Sequence, residues 1–190
     1  MTLSTLDIVG CLIGLVYLWL ELRASIWLWL LGVVMPAFYL NIYWQTGLYA
    51  DFGLQVYYIL AAVYGWASWK FFSKGKTEAE RPITRTPRRL WLVLAVCAAV
   101  VWLAVYLILS RLTPSTVPAS DALVNALSIV GLWMLAKKYL EQWWVWCVAD
   151  VLFAALYVYK GIPFTAGLYG LYAVVAVFGY FKWKRMMPTR

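Results

Sequence analysis

Seven stretches of the chain are predominantly apolar for sixteen residues or more, at 7–22, 26–44, 52–72, 90–109, 121–136, 143–159 and 163–181. The segments between them carry helix breakers or charges, as in LRAS, QTGLYAD, RLTPSTVPAS, KKYLEQ and KGIPF. Crossing about 30 Å of hydrocarbon takes roughly 20 helical residues. A segment in lipid must also satisfy its own backbone amides. The pattern therefore predicts an all-α integral membrane protein with seven transmembrane helices.

A shift of 114 residues brings the first three runs into gapless register with the last three. Asp7 falls on Asp121, Trp29 on Trp143, Gly47 on Gly161, Gly65 on Gly179 and Trp69 on Trp183, with sixteen identities over residues 7–70. This is the signature of a duplicated unit. The expected organisation is a first three-helix repeat at 1–72, a cytoplasmic loop at 73–89, a linker transmembrane helix at 90–110, and a second repeat with a cytoplasmic tail at 121–190. Three helices plus one linker make both repeats enter the membrane in the same direction. The repeats are then parallel, with a substrate path expected between two three-helix bundles. The linker LWLVLAVCAAVVWLAVYLIL has no charged or amide side chain and is expected to face lipid. The charged, proline-containing loop KFFSKGKTEAERPITRTPRR reads as a flexible linker.

Composition agrees: 65% of residues are hydrophobic, 18% aromatic and 13% charged, outside the range of soluble domains. The net charge of +8 is distributed asymmetrically. With the amino terminus outside, fourteen of the sixteen basic residues are cytoplasmic and only Arg111 and Lys160 are not. The charge is thus an insertion signal and not a nucleic-acid footprint. The first run lacks a basic flank and a cleavage site, so it reads as a retained helix. Cys11, Cys97 and Cys147 all fall in apolar runs and read as packing residues. Histidine is absent and no phosphate-binding loop occurs, which argues against an ATP-driven pump, a histidine proton relay and an enzyme. No cofactor or metal is expected.

One acid stands out. Asp150 sits in QWWVWCVADVL, with Trp143 and Trp146 spaced so that all three project from one helix face. A carboxylate near mid-membrane costs about 2.5 to 3.5 kcal/mol and calls for a partner. No intramembrane lysine, arginine or histidine is available to supply one, Lys70 standing at the cytoplasmic end of the third run. A flat cationic ligand stacked on the rings is one reading; a protonated acid bonded to a neighbouring helix is the other. The matching positions in the first repeat are Gly32 and Pro36, so the duplication is broken at this point. Glu21, near the end of the first helix, is a second acid, expected to pair with Arg23 at the interface. Asn125, Asn41 and Gln55 are amides at depth, either ligand contacts or glue between helices. Tyr39, Tyr58 and Tyr157 read as packing residues first. Pro36, Gly47, Gly161 and Pro163 are candidate hinge or gate points.

The pattern Trp143-x-x-Trp146-x-x-x-Asp150, the stretch GLYADFGLQVYYILAAVYGW at 47–66 and the 3+1+3 layout together resemble the PnuC family of vitamin transporters. The resemblance covers essentially the whole chain. It implies a SWEET-like fold and uptake of nicotinamide riboside, whose pyridinium ring is a flat cation, by facilitated diffusion. It implies that Trp143, Trp146 and Asp150 line the substrate site, with Gln55 contributing from the third helix. It further implies trapping by a separate cytosolic kinase, a functional partner. Relatives of the family carrying thiamine make that vitamin the alternative substrate, its aminopyrimidine giving Glu21 a use as a hydrogen-bonding acid if it does not pair with Arg23, and a structural membrane subunit is the competing class. The other partners expected are the vitamin itself and the lipid bilayer of a bacterial inner membrane; self-association stays open. In a cysteine-free background, cysteines introduced at Thr77 and Ser115 are expected to label from the cytoplasmic and outer sides respectively. The reverse labelling would contradict the parallel-repeat topology.

Overall fold

The structure, a computed structural model, describes residues 5–45, 49–71, 81–113 and 116–188. Its seven helices are α1 (Thr5–Leu22), α2 (Leu28–Gln45), α3 (Tyr49–Phe71), α4 (Arg88–Leu112), α5 (Pro118–Ala136), α6 (Gln142–Tyr159) and α7 (Pro163–Met186). Each apolar run forms the core of one helix. Pro118 and Pro163 open α5 and α7, where a missing N–H is no loss. Pro36 lies inside α2, so the Gly32 carbonyl has no backbone N–H four residues on to accept from. Gly161 closes α6 at φ +73°, and Ile162 N–H donates to the Tyr157 carbonyl behind it, a left-handed helix stop that suits glycine.

The chain divides into two compact units, Met1–Pro82 and Ile83–Arg190. In the first, α1 packs on α2 and α2 on α3; in the second, α4 packs on α5, α5 on α6 and α6 on α7. The linker helix α4 is thus part of the second unit. Its Leu94 is buried with Val130 and Met134 of α5, bordered by Leu90, Ala98, Trp133, Tyr139 and Val145. Most other apolar side chains of α4, among them Leu92, Val96, Val100 and Leu103, are exposed. In lipid such a surface is at home; in water a patch of this kind would be a liability.

The duplication is present in detail. The turn between α1 and α2 and the turn between α5 and α6 match bond for bond at the 114-residue shift. Ala24 N–H donates to Glu21 O and Ser25 N–H to Leu20 O, as Lys138 N–H donates to Leu135 O and Tyr139 N–H to Met134 O. Both turns place a non-glycine residue in the left-handed region, Ala24 at φ 50° and Lys138 at φ 51°. In the first unit the Trp29 ring meets Trp69 edge-on at 5.4 Å and 86°; in the second Trp143 meets Trp183 at 5.6 Å and 89°. Each buried indole lies against a glycine of the next helix, Gly65 or Gly179. No side chain larger than hydrogen fits there.

The loop ahead of α4 is not free over its described part. Thr84 N–H donates to the Lys138 carbonyl at 3.0 Å, and Leu140 N–H donates back to the Thr84 carbonyl at 2.8 Å. The Thr86 N–H and hydroxyl both donate to one Glu141 carboxylate oxygen, at 2.7 and 2.8 Å. Residues 83–86 therefore brace the turn from which α6 starts. The sequence suggested a flexible linker here because neither Thr84 nor Glu141 announces a partner so far away along the chain.

Among the described residues, four helices, α4 to α7, are long and apolar enough to cross a membrane, and shorter apolar stretches occur at Cys11–Leu22 and Leu28–Asn41. The helix pairs that carry them rest on the tryptophan–glycine contacts. A Cβ at Gly179 would stand 2.6 Å from the Trp143 ring, whereas one at Gly167 meets nothing within 4 Å. Thermal unfolding in detergent is therefore expected to show Gly179→Ala destabilised by about 1 to 3 kcal/mol, and Gly167→Ala unchanged or stabilised by up to about 1 kcal/mol. Equal behaviour of the two variants would contradict the packing account.

Candidate functional site

Trp143, Trp146, Asp150, Phe153 and Tyr157 follow one another along α6 at alternating spacings of three and four, and so form one stripe. The structure gives these residues different surroundings. Trp143 is 1% exposed, its ring held between Gly179 and Trp183 of α7. Its place is the counterpart of Trp29, and its work is to fix α6 against α7. Trp146 is half-buried and lies over Gly131 of α5, where an added Cβ would be 3.1 Å from the indole. Its ring N–H is buried without an acceptor, but so are those of Trp29 and Trp143, and that feature alone does not single it out.

Asp150 is 6% exposed. Among the described residues no hydrogen bond or ion pair reaches its carboxylate. Lys160, the basic residue at the far end of the same helix, is engaged elsewhere: its ammonium contacts the Asp121 carboxylate of α5 at 2.7 Å. One turn beyond Asp150, Phe153 stacks on Tyr169 of α7 at 4.6 Å and 26°, and Tyr157 stacks on the same Tyr169 at 5.4 Å and 10°. The acid thus has an indole one turn before it and a stack of rings one turn after it, about 5 to 6 Å along the axis in each direction. A flat cation suits this arrangement, with rings for its faces and a carboxylate for its charge. The α6 spacing signals Phe153 in the sequence; Tyr169, on another helix, has no sequence signal.

The remaining sequence candidates fall as follows. Asn125 of α5 donates its side-chain amide to the Asp121 carbonyl of its own helix at 2.8 Å. The Gly131–Trp146 contact fixes an antiparallel register that brings Asn125 to within about 3 Å of the level of Asp150. Ser128, missed by sequence reasoning, lies in the same stretch, buried, with its hydroxyl donated to the Val124 carbonyl. Gln55 is half-buried on α3 of the first unit. Pro36 is interior to α2, Pro163 begins α7 and Gly161 is in the exposed turn before it. Gly47 lies outside the described residues. The Arg23 guanidinium lies over the Trp19 ring, 4.1 Å from its centroid.

The broken symmetry at Trp146 has a structural counterpart. In the first unit the small residue is Gly32 of α2, and the ring facing it is Tyr17 of α1, 3.8 Å from an added Cβ. Tyr17 corresponds to Gly131 at the 114-residue shift. Both units thus pair one ring with one glycine, but the first takes its ring from α1 and the second from α6.

The family described as nicotinamide mononucleotide transporter matches residues 4–185. The nicotinamide riboside transporter PnuC of Escherichia coli is 25% identical, covering 95% of this chain and 85% of its own length. The riboflavin/roseoflavin transporter RibM of Streptomyces davaonensis is 28% identical, covering 93% of this chain and 83% of its own length. The crystal structure of the vitamin B3 transporter PnuC has a TM-score of 0.70 at 23% identity, covering 94% of this chain and 80% of that one, and has the same helical fold. With nearly the whole chain matched and the fold shared, the protein belongs to the nicotinamide mononucleotide transporter (PnuC) family, a family of multi-pass membrane transporters and not of enzymes.

Proposed function

We propose that the protein carries a small, flat, cationic vitamin across the bacterial inner membrane, with nicotinamide riboside as the substrate. The observation that carries this reading is Asp150: a buried carboxylate in an apolar helix, without a protein partner among the described residues, set between the rings of Trp146 and Phe153. A pyridinium cation supplies the missing charge and presents a face to the rings. Trp143 contributes by holding α6 in place, and Asn125, at the level of the acid, offers its amide oxygen to a ribose hydroxyl. Gln55 of α3 is the further substrate contact that the family resemblance implies. Pro36, Gly161 and Pro163 are the points at which the helices flex during transport.

Thiamine is the second reading. It too is a small aromatic cation, and its aminopyrimidine donates well to a carboxylate. Riboflavin, named for one relative, is neutral and leaves the Asp150 charge without compensation. The amino terminus lies outside and the carboxyl terminus in the cytosol. Transport follows the substrate gradient, and a separate cytosolic kinase traps the product by phosphorylation, so no energy source is needed on this chain.

Calorimetric titration in detergent with nicotinamide riboside and thiamine tests the site. Asp150→Leu is expected to fold as well as the parent or better, because the desolvation cost disappears, yet to lose binding. Asp150→Asn weakens binding in part, and Trp146→Ala costs about 1 to 3 kcal/mol of affinity. Wild-type binding by Asp150→Leu would make the acid structural.

Uptake into liposomes without an energy source is expected to stop at equilibrium. Accumulation above equilibrium under an imposed proton gradient would overturn facilitated diffusion and give Asp150 a coupling role.

A further inference from the structure

We propose that the start of α4 binds an anionic phospholipid, with Arg85, Arg88 and Arg89 around its phosphate and the exposed faces of the helix against its acyl chains. The site lies in the second unit alone and does not depend on which vitamin is carried. Leu90, Leu94 and Ala98 turn α4 onto α5, the one helix of the unit on which it packs among the described residues. What is left over is exposed. Arg88 is followed at helical spacing by Leu92, Ala95 and Ala99, and Arg89 by Val93, Val96 and Val100, so each arginine heads an exposed apolar stripe.

The charge at this end is not neutralised by the chain itself. Arg85, Arg88 and Arg89 are all exposed. Among the described residues no acid pairs with any of them, and the first turn of α4 contains no acidic residue. The acid beside them, Glu141, heads α6 and already accepts two hydrogen bonds from Thr86. Lys137 of α5 adds a cation: its ammonium is 5.7 Å from the centroid of the Trp133 ring, which borders the same cluster as Leu90. At the far end of α4 the last turn carries Arg111 alone. The complementary partner is an anion with an apolar body.

Membrane insertion asks only for a surplus of positive charge, which mobile lysines supply equally well. These arginines are placed more closely than that. Thr84 exchanges backbone hydrogen bonds with Lys138 and Leu140, and Thr86 is bonded to Glu141, so the backbone on both sides of Arg85 is held. A guanidinium fork matches two phosphate oxygens at once, which an ammonium does not. Trp91, 42% exposed in the first turn, is the type of ring that settles at headgroup level. A free phosphate would use the arginines and leave the stripes bare; a neutral lipid would do the reverse. Because residues 84–86 also brace the turn from which α6 starts, a lipid on Arg85 steadies the unit that carries Asp150.

Thermal unfolding of the full chain, delipidated in detergent and titrated with dioctanoyl phosphatidylglycerol, tests this. The midpoint is expected to rise and saturate, while dioctanoyl phosphatidylcholine or glycerol 3-phosphate at the same concentrations leaves it within about 1 °C. Arg88→Gln combined with Arg89→Gln is expected to weaken the apparent affinity for the anionic lipid about tenfold. The five other basic residues from Lys70 to Arg85 remain to set the orientation. Lys182→Gln combined with Lys184→Gln removes the same charge from the exposed end of α7 and is expected to leave the affinity within about twofold. Equal weakening by the two pairs would reduce the effect to general surface charge and overturn the site. So would a rise produced as well by glycerol 3-phosphate or by the neutral lipid, or no rise at all. If the double arginine variant does not fold, Arg85→Gln gives the readout: a loss of about threefold supports the site, and an unchanged affinity overturns it.

Discussion

The contact on which this architecture depends is an indole seated on a helix surface that has no Cβ. Trp29 on Gly65 joins α2 to α3 in the first unit; in the second, Trp143 on Gly179 joins α6 to α7 and Trp146 on Gly131 joins α5 to α6. In lipid the hydrophobic effect does not drive helices together, so close packing and small residues carry the association. A large flat ring against a bare backbone gives much contact area with little conformational freedom. It also fixes rotation. Once Trp143 and Trp146 are seated, the α6 stripe is set and Asp150 has one direction to face.

That direction gives the acid its meaning. An ionised side chain is tolerated in an apolar helix when something offsets the loss of water. Asp121 has Lys160, and Glu141 has two donors from Thr86. Asp150, deeper and more buried than either, has rings on both sides and no such group among the described residues. On the reading proposed above a flat cation completes the chemistry at this position, and transport by such a site needs only that the cation's fit be good enough to enter and weak enough to leave.

The fold was legible in the sequence to a large degree. Seven apolar runs became seven helices, and the 114-residue register reappears in matched turn bonds, matched left-handed residues and matched Trp–Trp edges. Apolar periodicity and repetition are local signals, and bilayer thickness turns them into structure directly. Less visible was anything that depends on which side chains meet across helices. Trp143 and Trp146 look alike in the motif, yet one is packed away and the other borders the acid. Tyr169 gave no sign that it would stack on Phe153, nor Thr86 that it would bind Glu141. The sequence shows that the duplication breaks where Gly32 faces Trp146 in the register, and only the packing shows that the ring beside Gly32 comes from Tyr17.

The most direct measurement of the central claim is an experimental structure of the protein with nicotinamide riboside or thiamine bound. The account predicts the aromatic cation against the Trp146 ring, its charged nitrogen within about 6 Å of an Asp150 carboxylate oxygen. A bound vitamin remote from Asp150, with that carboxylate hydrogen-bonded to a neighbouring helix, would contradict it.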